Sequence, residues 1–401
     1  MNEDLFTIGK EVLNIIKNNH FEAYFVGGCV RDFLLNKPVT DIDITTNATP
    51  NQISKLFDSV FPIGIEHGTV LVRYKQQSFE ITTYRTDGTY SDKRHPDSVK
   101  FIKSINEDLK RRDFTINALA MDEQGEIIDL FHGKKDLDHK IIRAVGNPKE
   151  RFSEDPLRMI RALRFSSQLG FSIESETLKE MVLLKEQIGN IAQERITEEI
   201  RRFFSGTYVN KGMHYLKKSG LYKYLPIFCD HKDLIKKIPN KLNPLSDFSE
   251  VIALLHIVYQ EIPISTWVKQ WKCSNEVKRN AFTLVKAYKG YINRGLDPLV
   301  MYPLPAKLFS NFVNLINNLQ EDNISLEEVN QCYQQLPIKN AQELAISGSD
   351  LLSLFPQKKP GPWIQIMLNL ITEKVLLNEI DNSRSELKEL AKCHMQTKMK
   401  Q

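Results

Sequence analysis

The apolar pattern of this chain changes period once, and that change limits the folds open to it. Up to about residue 147, short strand-like runs alternate with helical stretches: AYFV at 23–26, DIDITT at 41–46, and the pair TVLVRY (69–74) and SFEITTYR (78–85) around the polar turn Lys75-Gln76-Gln77. Beyond it apolar residues recur at three- and four-residue intervals almost without strand signals, as in LRMIRALRF, ITEEIRRFF, VIALLHIVY and FVNLINNLQ. The expectation is an α+β module followed by an all-helical remainder. Breaks at Asn147-Pro148, Pro226, Pro239, Pro244, Pro263 and the cluster Pro298 to Pro305 divide that remainder into pieces. A chain of 401 residues is too long for one core of typical size, so two to four sub-domains are expected.

Composition narrows the class. With 41% hydrophobic and 26% charged residues the chain matches ordinary soluble proteins rather than disordered or membrane ones. The start, MNEDLF, carries acids where a signal peptide needs bases, and no apolar run reaches the roughly 18 residues of a membrane span. The expected location is the cytoplasm, with no membrane partner. Five scattered cysteines (Cys29, Cys229, Cys273, Cys332, Cys393) form no CxxC pair, so they read as free thiols rather than a disulfide or zinc framework. The net charge of +4 is compatible with a polyanionic partner without requiring one. The bases cluster at Lys110-Arg111-Arg112, at Arg158, Arg161 and Arg164, at Arg201-Arg202, and from Lys388 to Lys400.

The stretch FVGGCVRDFLLNKPVTDIDITT, residues 25–46, sets two aspartates two positions apart in a segment that otherwise reads as a buried strand. Side chains alternate along a strand, so Asp41 and Asp43 share one face while Ile42 and Ile44 turn to the core. Two converging carboxylates repel, and a divalent cation relieves that repulsion. Mg²⁺ suits the pair, because it takes one or two carboxylates and completes its octahedron with substrate phosphates and water. A solvated face of an edge strand is the alternative for so short a pattern. Gly27-Gly28, between the strand and the helix-like CVRDFLL, lie where backbone N–H groups can face a phosphate chain, and Arg31 can add a charge-assisted contact.

Further side chains are candidates for the same site. Glu80 shares a face with Thr82 and Tyr84, where it can serve either as a third carboxylate or as an ordinary exposed strand residue. RRDFTINALA (111–120) sets two arginines and Asp113 ahead of an expected apolar helix; Arg112 can reach a phosphate or ribose, and Asp113 can cap the helix or bind sugar hydroxyls. RFSEDPLRMIRALRF (151–165) predicts a helix with Ser153 as N-cap, acids in its first turn, and Pro156 where no intrahelical acceptor is needed. On it Asp155, Arg158, Arg161 and Arg164 form one ridge, either solvated with an i,i+3 ion pair or directed at a nucleotide. In the second case Asp155 accepts from an exocyclic amine while Arg158 donates to a ring nitrogen or carbonyl, which suits cytosine and adenine and repels guanine and uracil.

GGCVRD with TDIDI, RRDFTINALA, DLFHGKKDL at 129–137, EDPLR, and ERITEEIRRFF at 194–204 together resemble the successive motifs of class II CCA-adding enzymes, the bacterial tRNA nucleotidyltransferases of the polymerase-β superfamily. PGPW at 360–363 and LPIKNAQELAISGSDLL at 336–352 are similar to the Gram-positive type. Cys29, where many members have Ala, and His132, replacing a Gly, depart from the pattern without touching the proposed chemistry.

That resemblance implies a seahorse-shaped molecule: an α+β nucleotidyltransferase head (1–147), and an all-helical neck with the nucleotide-selecting helix (148–206), body (207–290) and tRNA-binding tail (291–401). It implies Asp41 and Asp43 as Mg²⁺ ligands, with Glu80 a further catalytic candidate. Gly27, Gly28, Arg31, Arg112, Asp113, Asp155, Arg158, Arg161 and Arg164 would bind the nucleotide. The substrates implied are CTP, ATP and the 3′ end and acceptor stem of tRNA. The segment TDGTYSDKRHPDSVKF (86–101) is similar to the loop that accompanies the switch from C to A addition. Rival readings are a bacterial poly(A) polymerase, a small-molecule nucleotidyltransferase and a non-catalytic RNA-binding protein. The sequence is compatible with a homodimer as well as a monomer.

Overall fold

The computed structural model describes residues 2–87, 99–321 and 323–399, so most of the expected loop at 86–101 lies outside the described residues. Two compact units make up the chain, Met1–Ile235 and Lys236–Gln401. The first opens with helix α1 (Asn2–Asn18), strand β1 (Ala23–Val26), helix α2 (Gly28–Leu34), strand β2 (Ile42–Thr46) and helix α3 (Pro50–Leu56). Strands β3 (Val60–Gly64), β4 (Thr69–Tyr74) and β5 (Gln77–Thr83) follow, then a separate antiparallel ribbon of β6 (Arg85–Asp87) and β7 (Val99–Phe101). After α4 (Ile105–Lys110) come β8 (Leu119–Met121), β9 (Ile127–Asp129) and α5 (Gly133–Asp138).

Seven of these strands form one mixed sheet in the order β3-β4-β5-β2-β1-β8-β9. Only β2 and β5 pair parallel within it; every other neighbouring pair is antiparallel. Lys75 and Gln76 both adopt positive φ (46° and 64°), closing the β4–β5 hairpin with the two-residue turn whose twist matches the strands. Phe25 on β1 is fully buried, edge-on to Phe6 of α1 at 5.1 Å. Gly9 permits that closeness, since a Cβ there would lie 2.8 Å from the Phe25 ring.

RRDFTINALA departs from expectation. In place of an apolar helix it makes a single 3₁₀ turn, Thr115–Asn117, and then β8, which pairs with both β1 and β9. Leu119, Ala120 and Met121 are all buried, so both faces of the strand are covered and its apolar run carries no period.

The unit continues through β10 (Ile141–Ile142), α6 (Pro148–Glu154), α7 (Leu157–Leu169), β11 (Ser172–Ile173), α8 (Ser175–Leu184), α9 (Gln193–Phe204) and α10 (Val209–Ser219), with β10 and β11 pairing parallel. Here too the expectation needs correcting, because Ser153 starts no helix. Asn147 caps α6 by accepting the Lys149 N–H, α6 ends at Glu154, and Asp155 is extended (φ −136°, ψ 97°) before α7 begins. Pro156 is the cause: its ring disfavours helical geometry at the residue before it, so the chain breaks at Asp155. The apolar side of α7, with Leu163, meets Ile196, Ile200 and Phe203 of α9 in a buried layer.

The second unit is helical, with no strand among its described residues. Its core is built on the helices Phe248–Val258, Asn275–Arg294 and Phe309–Leu319, with Trp267 and Trp271 fully enclosed. Pro263 precedes the helix Ile264–Gln270 and Pro298 opens the next short helix, so the proline breaks delimit elements as expected. One carboxylate is buried in this core. Glu250 accepts at Oε2 from the Ser246 N–H and Asn311 Nδ2, both at 3.1 Å. Burial pushes its carboxyl up to about 7 against those donors.

Candidate active site

A cleft of about 520 Å³ opens in the first unit, between the β1–α2 and β2 end of the sheet and helix α7. Eight arginines and five aspartates line it, with no lysine or glutamate. Such a volume suits a nucleotide-sized ligand and such a lining an anionic one.

The sheet side supplies the acids. Ile42 and Ile44 of β2 are buried, whereas Asp41, immediately before the strand, and Asp43 are exposed toward the cleft. The register of β2 against β5 sets Glu80 directly beside Asp43, so those side chains share a face. Solvent reaches Asp43 through the mouth of the cleft. Even so, the protein packed around it, with the Glu80 and Asp41 charges, pushes its carboxyl up to about 6, and Arg112 only partly opposes this. Glu80 itself is not among the lining residues, and among the described residues no three His, Cys, Asp or Glu side chains are grouped to hold a metal. Two carboxylates remain, which fits an ion that draws its other ligands from phosphate and water.

Between β1 and α2, Gly27 takes φ +74°, and a Cβ there would stand 3.0 Å from Nη1 of Arg112. Arg31, one turn into α2, holds Asp32 with Nε and Nη2 (2.9 Å each) and donates from Nη1 to Asn117 Oδ1 (2.7 Å). Asn117 in turn donates to Asp113 Oδ1 (3.0 Å). Asp113 caps no α-helix; it accepts the next N–H, that of Phe114 (2.7 Å), and pairs through Oδ2 with Arg161 (2.7 Å). Burial would raise the Asp113 carboxyl, but Arg161 and Asn117 outweigh it and hold the group well below the usual range.

The arginine ridge of α7 is not tied to Asp155, and only Arg161 in it is partly exposed. Arg158 and Arg164 are 8% and 7% exposed. Arg158 donates to Glu154 (2.9 Å) and to the Arg111 carbonyl (2.9 Å), while Arg164 Nε meets Glu199 of α9 at 2.6 Å. Burial pulls the Arg164 guanidinium down to about 10, with Glu199 opposing. Arg31, Arg161 and Arg164 surround the Phe165 ring at 5.2, 5.5 and 4.1 Å from its centroid. Asp155 pairs with Arg195 of α9 rather than with Arg158. The i,i+3 pairing fails because Asp155 is outside α7, so helical spacing does not apply to it.

Of the residues expected at the site, all but Glu80 line this one cleft. Arg111, Asn117, Phe165, Arg195 and Arg202 line it without having been expected. A signal existed for Arg195 and Arg202, since both lie in the ERITEEIRRFF stretch already singled out.

Residues 23–143 match the family model described as the poly A polymerase head domain, and residues 170–232 the probable RNA and SrmB-binding site of polymerase A. Residues 244–391 match the putative tRNA nucleotidyltransferase domain 2. The chain is 45% identical to the CCA-adding enzyme of Oceanobacillus iheyensis over 97% of this chain and 98% of that relative. It is 40% identical to that of Anoxybacillus flavithermus over 98% of each. Its fold is similar to the crystal structure of the Bacillus stearothermophilus CCA-adding enzyme in complex with CTP, with a TM-score of 0.88 and 31% identity over 98% of both chains. The Thermotoga maritima CCA-adding enzyme complexed with tRNA, 20% identical, shares the fold at a TM-score of 0.62 over 98% of this chain and 95% of that one. Identity sustained over nearly the whole length of such relatives places this chain in the family of bacterial CCA-adding enzymes, which are nucleotidyltransferases.

Proposed function

We propose that this chain builds and repairs the 3′-terminal CCA of tRNA, taking CTP and ATP without a nucleic-acid template and releasing pyrophosphate. The observation that carries the reading is the meeting, in one cleft, of an acidic pair at the start of β2, a glycine turn, Asp155 at the α6–α7 break and three arginines of α7. Gly27, Gly28, Arg31 and Arg112 would hold the triphosphate, with backbone N–H groups and guanidinium charge addressing its oxygens. Asp155 and Arg158 would read the base edge, and Arg161 and Arg164 would wall the pocket. The tRNA 3′-oxygen then forms its bond to the α-phosphorus as the bond to pyrophosphate breaks, with no covalent enzyme intermediate. Asp41 and Asp43 would hold Mg²⁺, which when bound supplies Lewis-acid activation of the attacking hydroxyl.

The roles of head (1–147), neck (148–206), body (207–290) and tail (291–401) follow the same reading, with basic helices of body and tail gripping RNA through phosphates. No helix of the described residues is long and apolar enough to cross a membrane. The test is incorporation on tRNA ending before CCA, with each nucleoside triphosphate alone and together, read by product sequence. Addition of two C residues and one A supports the reading; a run of A, as from a poly(A) polymerase, or no extension overturns it.

A further inference from the structure

Asp155 sits where α6 has ended and α7 has not begun, and donors already hold most of its carboxylate. Oδ1 accepts the Leu157 N–H (3.1 Å) and Arg195 Nη1 (3.3 Å), and Oδ2 accepts Arg195 Nη2 (2.8 Å). A carboxylate offers about four lone-pair positions, so these contacts leave one, on Oδ2. Both residues line the cleft, and both side chains are mostly enclosed, 14% exposed for Asp155 and 20% for Arg195. The two-point guanidinium fork fixes the plane of the carboxylate, which a single hydrogen bond cannot do.

We infer that Arg195 is a positioning residue for nucleotide choice: it clamps Asp155 so that a bound base meets a single, fixed, acceptor-only oxygen. The inference rests on the reading of Asp155 as the base-reading acceptor made above. An amine on cytosine or adenine satisfies that one position, whereas the carbonyl oxygen of uracil or guanine meets it as a second acceptor and leaves both unpaired. Without the clamp the carboxylate turns about its side-chain torsions, so it no longer presents one fixed acceptor and can swing away from those carbonyls. Selection then weakens while the chemical step, which Asp155 does not touch, keeps its rate. A tie between the α6–α7 junction and α9 that is structural only would lower the melting temperature and leave the preference among nucleotides where it was.

The experiment measures kcat and KM for CTP, UTP, ATP and GTP on tRNA lacking its terminal CCA, using the full chain with Arg195→Met, Arg195→Lys and Asp155→Asn. Arg195→Met is expected to lose at least about tenfold of the preference for CTP over UTP and for ATP over GTP, chiefly through a raised KM for the correct nucleotides. Arg195→Lys, with charge but no fork, is expected to fall between it and the parent. Parent-like preference in Arg195→Met overturns the inference. Should that variant fail to fold, Arg195→Lys decides, its intermediate preference supporting the inference and its parent-like preference overturning it. Asp155→Asn separates the two claims. If it leaves selection unchanged, the base-reading role of Asp155 falls and the clamp with it; if it shifts selection while both Arg195 variants do not, the clamp alone falls.

Discussion

The two walls of the cleft handle charge in opposite ways. On the sheet side Asp41 and Asp43 face the cleft with Glu80 beside Asp43 in register but outside the lining, and the Asp43 carboxyl is pushed up by the protein packed around it and by these acidic neighbours, with Arg112 the main opposing charge. On the helix side each arginine of the α7 ridge already has an anion or carbonyl of its own: Glu154 and the Arg111 carbonyl for buried Arg158, Asp113 for the partly exposed Arg161, Glu199 for buried Arg164. One wall is short of a cation; the other has the charges of its arginines paired before any ligand arrives. A wall that is already paired is pre-organised, since it needs no rearrangement to present its donors. A wall under repulsion stores the preference for an incoming positive charge.

Removing either carboxylate breaks the contrast most severely. Asp41→Ala and Asp43→Ala are each expected to lower single-turnover incorporation by about a thousandfold or more, with tRNA affinity and melting temperature nearly unchanged, because the acids are a chemical rather than a structural element. Filter binding and thermal melts beside the incorporation assay check all three. On the paired wall the reverse holds. Glu199→Ala leaves the Arg164 guanidinium buried without its partner, and urea unfolding is expected to show about 3 kcal/mol lost.

Glu250 sharpens the comparison, because it too is a carboxyl pushed up by the protein around it, but one fully enclosed in the second unit, with hydrogen-bond donors and no cation. Its carboxyl is raised in the fold, so the folded state binds the proton more tightly than the unfolded one. Stability from this group is full below its ordinary range and is lost as pH rises through about 7. Glu250→Gln is therefore expected to stabilise the chain at pH 8 by about 1–2 kcal/mol and to have little effect at pH 5, read from denaturation at both values. The smallest effect belongs to the rim. Arg202, half exposed and paired with Glu198 on its own helix, is expected to give up under about 0.5 kcal/mol when changed to Ala.

Much of this contrast was legible in the residues. The acid wall follows from strand period: Ile42 and Ile44 mark the core face, so Asp41 and Asp43 had to turn away from it. The turn at Gly27 and the helix after it were legible for the same local reason. What local spacing misjudged lies at the junctions. Pro156 reads as a first-turn residue, yet its effect on Asp155 ended one helix and began another, which removed the Asp155–Arg158 pairing. The true partners of Asp155, Arg161 and Arg164 come from α9 and the Asp113 turn, tens of residues away in the chain. No periodicity carries such contacts. β8 escaped notice because a three-residue strand buried on both faces has no alternation to read.

The central claim is that the sheet wall is built to take a divalent cation that the helix wall does not need. Titration of Mn²⁺, as a paramagnetic stand-in for Mg²⁺, into the nucleotide-free chain and into Asp43→Asn, followed by loss of the free-ion EPR signal, tests it most directly. The account expects bound Mn²⁺ in the parent and its loss in Asp43→Asn, with CTP binding through the arginines retained; equal Mn²⁺ binding by both proteins would contradict it.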